Sequence, residues 1–279
     1  MTDDVPERTA ELAHGLSIAQ LLSAVENELI PRLLVSHSAE LERSPVTPLE
    51  AESPPHGPWA SHSEVARFAG LSAAGEETAL REHVSALLSR GVGLDAIYLH
   101  LFAPAARHLG EQWVRDEVSF VDVQFGLCAL HRIVCECGPI GFRQEPRGEP
   151  RSILLSVAPG DQHTFGVTLA AEFFRRHGWQ VSNLAGLETG FVLERVASTS
   201  YTAVGFSLHN ENCFAALADE IVKVRERTCN SDMLVLVGGD YFARNPATVV
   251  EVGADLSASD AHRAVFAAEK ALDSMQTAD

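Results

Sequence analysis

Three short, uninterrupted apolar runs constrain this chain more than any other feature: residues 152–158 (SILLSVA), 203–207 (AVGFS) and 233–237 (MLVLV). A strand with one wet face alternates apolar and polar residues, whereas a strand that is apolar throughout belongs to a parallel sheet buried on both sides. Weaker strand patterns at 179–184 and 254–256 bring the expected number to about five. The stretches between them, at 164–177, 191–198, 214–227 and 260–272, have helical texture. Strands alternating with helices over such a length predict an α/β, flavodoxin-like doubly wound parallel sheet, whose ligands sit in the crevice at the carboxyl ends of the strands.

Upstream the texture changes. Residues 61–138 read as four amphipathic helices (HSEVARFAG, ETALREHVSALLSRG, LDAIYLHLFAPAARHLGEQW and SFVDVQFGLCALHRIVCEC) joined by short turns, the pattern of a four-helix bundle. Gly91 and Gly93 separate the second from the third, and Ser119 or Asp122 is placed to cap the fourth. Residues 139–151 are a Pro/Gly-rich hinge, and 152–279 form the sheet domain. Residues 1–60 read as an N-terminal arm: an amphipathic helix over 17–35 that Pro31 kinks or ends, then an extended linker with prolines at 45, 48, 54, 55 and 58.

Lys and Arg total 21 against 38 Asp and Glu, a net charge of −17. A duplex-binding surface must neutralise phosphates, so direct DNA binding is not expected. The arm, with 10 acids to 3 bases, holds no basic recognition helix. No apolar run reaches the ~20 residues of a membrane span, and the acidic start is unlike a signal peptide, so the expectation is a cytoplasmic protein without membrane contact. None of the five cysteines forms a Cys-x-x-Cys pair. Cys128 and Cys135, seven apart on one helix face, read as small core residues, with Cys137 pointing elsewhere.

The strand ends carry the chemistry. The first run is followed by Pro159-Gly160-Asp161-Gln162-His163-Thr164-Phe165-Gly166, the third strand ends in Ser207-Leu208-His209-Asn210, and the fourth is followed by Gly238-Gly239-Asp240. In one doubly wound sheet these three segments converge on one crevice. No Gly-x-Gly-x-x-Gly or Walker loop is present, and only two lysines exist, Lys223 and Lys270. His163 is the candidate metal ligand, because a carboxylate on one ring nitrogen fixes the other as a free donor, and Asp161 can supply that carboxylate.

Asp161-x-His163-x-x-Gly166, then Ser207 after 44 residues, then Gly238-Gly239, resembles the signature of base-off cobalamin-binding domains. The helical bundle resembles the cap module that accompanies them, so the resemblance spans about residues 62–273. It implies cobalamin as cofactor, with His163 replacing the cofactor's dimethylbenzimidazole as lower cobalt ligand and Asp161 bonded to that histidine. It further implies that Ser207 contacts the displaced tail and that Gly166, Gly238 and Gly239 are bare backbone past which the tail threads. His209 departs from the leucine of the Ser-x-Leu element.

Residues 28–34 (ELIPRLL), and Trp113 followed by Ser119-Phe120-Val121-Asp122-Val123, resemble the cobalamin-binding antirepressors of purple photosynthetic bacteria, the AerR/PpaA type. That resemblance implies a light-responsive regulator, not an enzyme. Alkylcobalamin bound in the dark loses its alkyl group in light, and binding to a transcriptional repressor of the PpsR/CrtJ type changes. Trp113 is the residue implied to cover the upper corrin face, although Val123 and Gln124 stand where related photoreceptors carry Glu-His. The bundle histidines His100, His108 and His131 read as satisfied helix-face residues. The alternatives are a corrinoid methyl carrier serving a methyltransferase and a heme-binding relative.

Overall fold

The computed structural model describes residues 60–138, 151–187 and 190–276, which lie in one compact unit. The helix expected over 17–35, the linker and residues 139–150 of the hinge lie outside the described residues.

The bundle comprises α1 (His62–Ala73), α2 (Glu77–Ser89), α3 (Leu94–Ile97), a π-helical turn (Tyr98–Phe102), α4 (Ala103–Val114) and α5 (Phe120–Cys137). The π turn has a local cause. Pro104 has no N–H to return to the carbonyl four residues back, and the Ala103 N–H instead reaches the Tyr98 carbonyl. Both residues expected to cap α5 do so reciprocally: the Asp122 N–H donates to Ser119 Oγ at 3.1 Å and the Ser119 N–H to Asp122 Oδ2 at 3.0 Å.

Downstream come β1 (Ser152–Val157), α6 (Phe165–Arg176), β2 (Gln180–Asn183), α7 (Gly190–Ser198), β3 (Ala203–Ser207), α8 (Phe214–Arg227) and β4 (Leu234–Gly238). They are followed by α9 (Asp240–Arg244), α10 (Thr248–Glu251), β5 (Leu256–Ala258) and α11 (Ala261–Gln276). The five strands form a parallel sheet in the order β2-β1-β3-β4-β5, so the order reverses between β1 and β3, where a doubly wound sheet opens its crevice. Register brings the expected motifs level, with Val157 opposite Ser207 and Ser207 opposite Gly238.

The strand alternation sorts side chains into two cores. Ile153, Leu155, Ala203, Leu234 and Leu236 face α6 and α11 and share one continuous core with the bundle. Leu154, Val204, Phe206, Val235 and Val237 pack with α7 and α8. The bundle is thus fastened to the sheet through α6. Tyr98 lies edge-on to Phe173 at 6.0 Å, and buried Arg176 donates from Nε to Asp95 Oδ1 at 2.6 Å.

Four expectations are corrected. Cys128 and Cys135 are exposed and Cys137 is buried, because the inward face of α5 is formed by Gly126, Ala129, Leu130, Ile133, Val134 and Cys137. The last strand starts two residues later than 254–256. Asp255 precedes it, its carboxylate accepting the Val235 N–H at 2.7 Å and pairing with Arg225 at 2.8 Å. The crossover before it carries α9 and α10, each too short to leave a periodic pattern. Among the bundle histidines, His108 meets His62 edge-on at 5.6 Å and His131 Nε2 reaches Thr168 Oγ1 at 3.5 Å. His100, in the π turn, is not satisfied: its buried Nε2 has no hydrogen-bond partner among the described residues, and burial lowers its pKa. Among the described residues no helix is long and apolar enough to cross a membrane.

Candidate functional site

The loop leaving β1 turns directly into α6, and Asp161 is drawn into the interior of that turn. Its side chain is 1% exposed, a placement that a carboxylate tolerates only when fully hydrogen-bonded. Four donors meet it. Oδ1 accepts the His163 backbone N–H at 3.1 Å and the ring Nδ1–H at 2.6 Å. Oδ2 accepts the backbone N–H groups of His209 at 2.6 Å and Asn210 at 3.1 Å, both from the loop after β3. Burial pushes the Asp161 carboxyl up, but the His163 bond, the His209 amide, the His163 charge and the Asn210 amide together outweigh it and hold the pKa well below the usual carboxylate range.

Asp161 therefore ties the β1 and β3 loops together across the switch point and fixes the tautomer of His163. With Nδ1–H committed to the carboxylate, the neutral form of the ring has its acceptor position at Nε2. The ring is 46% exposed. His209 lies against His163, ring centroids 4.0 Å apart at 36°. Its position after β3 was legible, but its pairing with His163 was not, because two loops 46 residues apart in sequence had to be brought together. Cys213 also approaches this loop, its Sγ 3.4 Å from where a Cβ on Gly160 would stand. Burial, reinforced by the Asp161 charge, pushes the Cys213 thiol up, so it stays protonated near neutral pH and does not compete as a thiolate.

The remaining expected residues divide. Ser207 ends β3 beside Gly238 and Gly239. A Cβ on Gly166 would meet open space. A cleft of about 310 Å³ opens beside the loop, lined by Ser156, Ala158, Gly160, Asp161, Thr164 and Leu187 among others. Gly239, at φ +97°, answers to the chain's own backbone: a Cβ there would lie 2.4 Å from the Leu208 carbonyl oxygen. Trp113 belongs to the bundle, partly buried against Phe120 at 5.8 Å.

Replacing Asp161 with Asn turns one of its two acceptor positions into a donor facing two N–H groups, whichever way the amide lies. The expected loss is about 1–3 kcal/mol of stability, measured by urea unfolding. A variant as stable as the parent would show that the four bonds do not hold the loops.

At the switch point an ionised carboxylate thus orients a half-exposed imidazole, an arrangement with the chemistry of a histidine that could hold a metal-containing cofactor. Residues 151–266 match the family model of the B12 binding domain, and the cofactor is cobalamin. Over 170 residues the chain is 24% identical to an uncharacterized 20.5 kDa protein in the bchF-crtJ intergenic region of Rhodobacter capsulatus, covering 61% of this chain and 88% of that protein. The fold is shared with the monomethylamine corrinoid protein of Methanosarcina barkeri, with a TM-score of 0.62, 18% identity and coverage of 76% of this chain and 100% of the other. A cobalamin-binding protein from Desulfitobacterium hafniense DCB-2 aligns over 74% of this chain and 97% of its own, at 18% identity and a TM-score of 0.41. The donor set fits the cofactor: an oriented Nε2, a protonated neighbouring thiol and open space at Gly166.

Proposed function

We propose that this protein is a light-responsive, cobalamin-binding regulator of transcription that acts as an antirepressor by binding a repressor of the PpsR/CrtJ type, without enzymatic activity. The observation that carries this reading is its similarity to a protein whose gene lies between bchF and crtJ. His163 would hold the cobalt of the cofactor through Nε2, and Asp161 would keep the ring in place. Ser207, Gly166, Gly238 and Gly239 would accommodate the displaced tail of the cofactor, and Trp113, on the bundle, would shield the cofactor. Alkylcobalamin, when bound, would supply a light-sensitive cobalt–carbon bond.

The chain's own residues provide a route outward from the site. α6 begins two residues after His163, and one turn along it Thr168 meets His131 of α5. Phe173 and Arg176 then touch Tyr98 and the α3 carboxylate of Asp95. A displacement of the His163 loop is therefore felt in the bundle. The net charge of −17 suits a basic protein surface and repels a phosphate backbone.

Coupling between two sites is typically ~1–3 kcal/mol, so repressor affinity should differ by about 5 to 150-fold between dark and illuminated protein. The experiment is a binding titration of the full chain, loaded with alkylcobalamin in the dark, against the repressor before and after illumination. Equal affinities would reject the reading. The methyl-carrier alternative draws on the fold shared with a corrinoid protein, and methyl transfer to a thiol acceptor by a partner enzyme would favour it.

A further inference from the structure

One face of the bundle lies away from α6 and carries features that the cobalamin site does not use. Along α5, Val121 and Phe125 are 42% and 65% exposed, one helical turn apart, and Cys128 follows on the same side. Beside Phe125 runs a groove of about 310 Å³ between α5 and the turn joining α1 to α2, floored by Ala73, Ala74, Gly75 and Ala129. Gly126 makes the groove possible. A Cβ there would lie 2.8 Å from Leu109 Cδ1 and 3.3 Å from the Ala73 nitrogen, so only glycine lets the end of α1 sit this close to α5. An aromatic knob thus stands next to a hole floored by small side chains.

The rim selects the occupant. Arg132 and Arg81 both donate to Glu77, and Arg81 also donates to Glu136. Two acids and two bases make the rim neutral on a chain whose net charge is −17. A basic partner is drawn to the acidic remainder of the surface, not here. A partner that meets this rim carries both signs in a row and an aromatic knob beside a hole, which describes the same face on another copy. A two-fold axis brings each Phe125 to the other copy's groove and sets each mixed row against its own reverse, as an isologous contact requires.

We propose that this α1–α5 face is the contact between two copies of the chain. The experiment uses the full-length protein with Cys135→Ser and Cys229→Ser, which leaves Cys128 as the exposed thiol at the groove. Sedimentation should report a dimer at concentrations up to about 100 μM, and a short bismaleimide should join two chains through thioethers at Cys128. Phe125→Asp removes the knob, and Ala74→Trp fills the hole from an exposed turn position. Each should weaken association at least 10-fold, whereas Val250→Asp, at an 82% exposed position on α10, should leave it unchanged. A parent protein that stays monomeric at about 100 μM, or a dimer that survives both groove variants, overturns the proposal. So does a monomer that binds the repressor through Phe125.

Discussion

Replacing His163 with alanine should abolish histidine ligation to cobalt and weaken cobalamin retention by more than the ~10 to 100-fold typical of altering a group that merely orients a ligand. The fold should persist. His163 lies outside the apolar run of β1, its ring is 46% exposed, and the loop keeps its other anchors. Asp161 still receives the backbone amides of residue 163, His209 and Asn210. The cost falls instead on the donor atom, because among the described residues Asp161 orients no other imidazole through a ring nitrogen. The neighbouring imidazole makes the test sharper: His209 lies tilted against His163 and is the substitute at hand. The nitrogen hyperfine pattern of the Co(II) form, recorded for the parent, His163→Ala and His209→Ala, identifies the ligand. An unchanged pattern and affinity in His163→Ala would transfer the assignment to His209.

The parts of this molecule written in local pattern were readable from the sequence, and the parts built by juxtaposition were not. The continuous apolar runs of β1, β3 and β4 announce burial on both faces, and the 2-1-3-4-5 order observed is what short right-handed crossovers allow. The Asp161–His163 bond spans two residues of one loop and was legible for that reason. The second half of the Asp161 environment was not, since the amides of His209 and Asn210 arrive from another strand. Cys128 and Cys135 show a different failure. Spacing of seven places two residues on one face but does not say which face points inward, and on α5 that choice is made by contacts with α1 and α4. The π turn at Tyr98–Phe102 followed from a proline inside a run that otherwise reads as one helix.

Gly238 and Gly239 form one motif in the sequence, yet alanine at the two positions should have very different effects. Gly238 ends β4 in ordinary strand conformation, and an added methyl would sit 3.3 Å from the Ala258 carbonyl oxygen, a contact that the short edge strand β5 can relieve by a few tenths of an ångström. Gly239 has φ +97° and ψ 172°, a region essentially confined to glycine. A methyl there would meet the Leu208 oxygen at 2.4 Å, the Leu208 nitrogen at 2.9 Å and Ser207 Oγ at 2.9 Å. Neither side can retreat. The Leu208 N–H donates to the Gly238 carbonyl at 2.9 Å, the Tyr241 N–H donates to the Leu208 carbonyl at 3.2 Å, and the Gly239 carbonyl accepts the Ala243 N–H at 3.2 Å. Backbone strain of about 1–3 kcal/mol and overpacking of a further ~1–3 kcal/mol then add, so Gly239→Ala should lose more than about 3 kcal/mol against roughly 1 kcal/mol for Gly238→Ala. Urea unfolding of the two variants without cofactor separates them, and equal losses would refute the assignment. The clash is with the residues that end β3, so the same change should also displace Ser207 and the amides that hold Asp161, and with them the orientation of His163. Cobalamin binding by Gly239→Ala should accordingly fall even at temperatures where the variant is still folded, whereas a binding loss that merely tracks the unfolded fraction would confine Gly239 to stability.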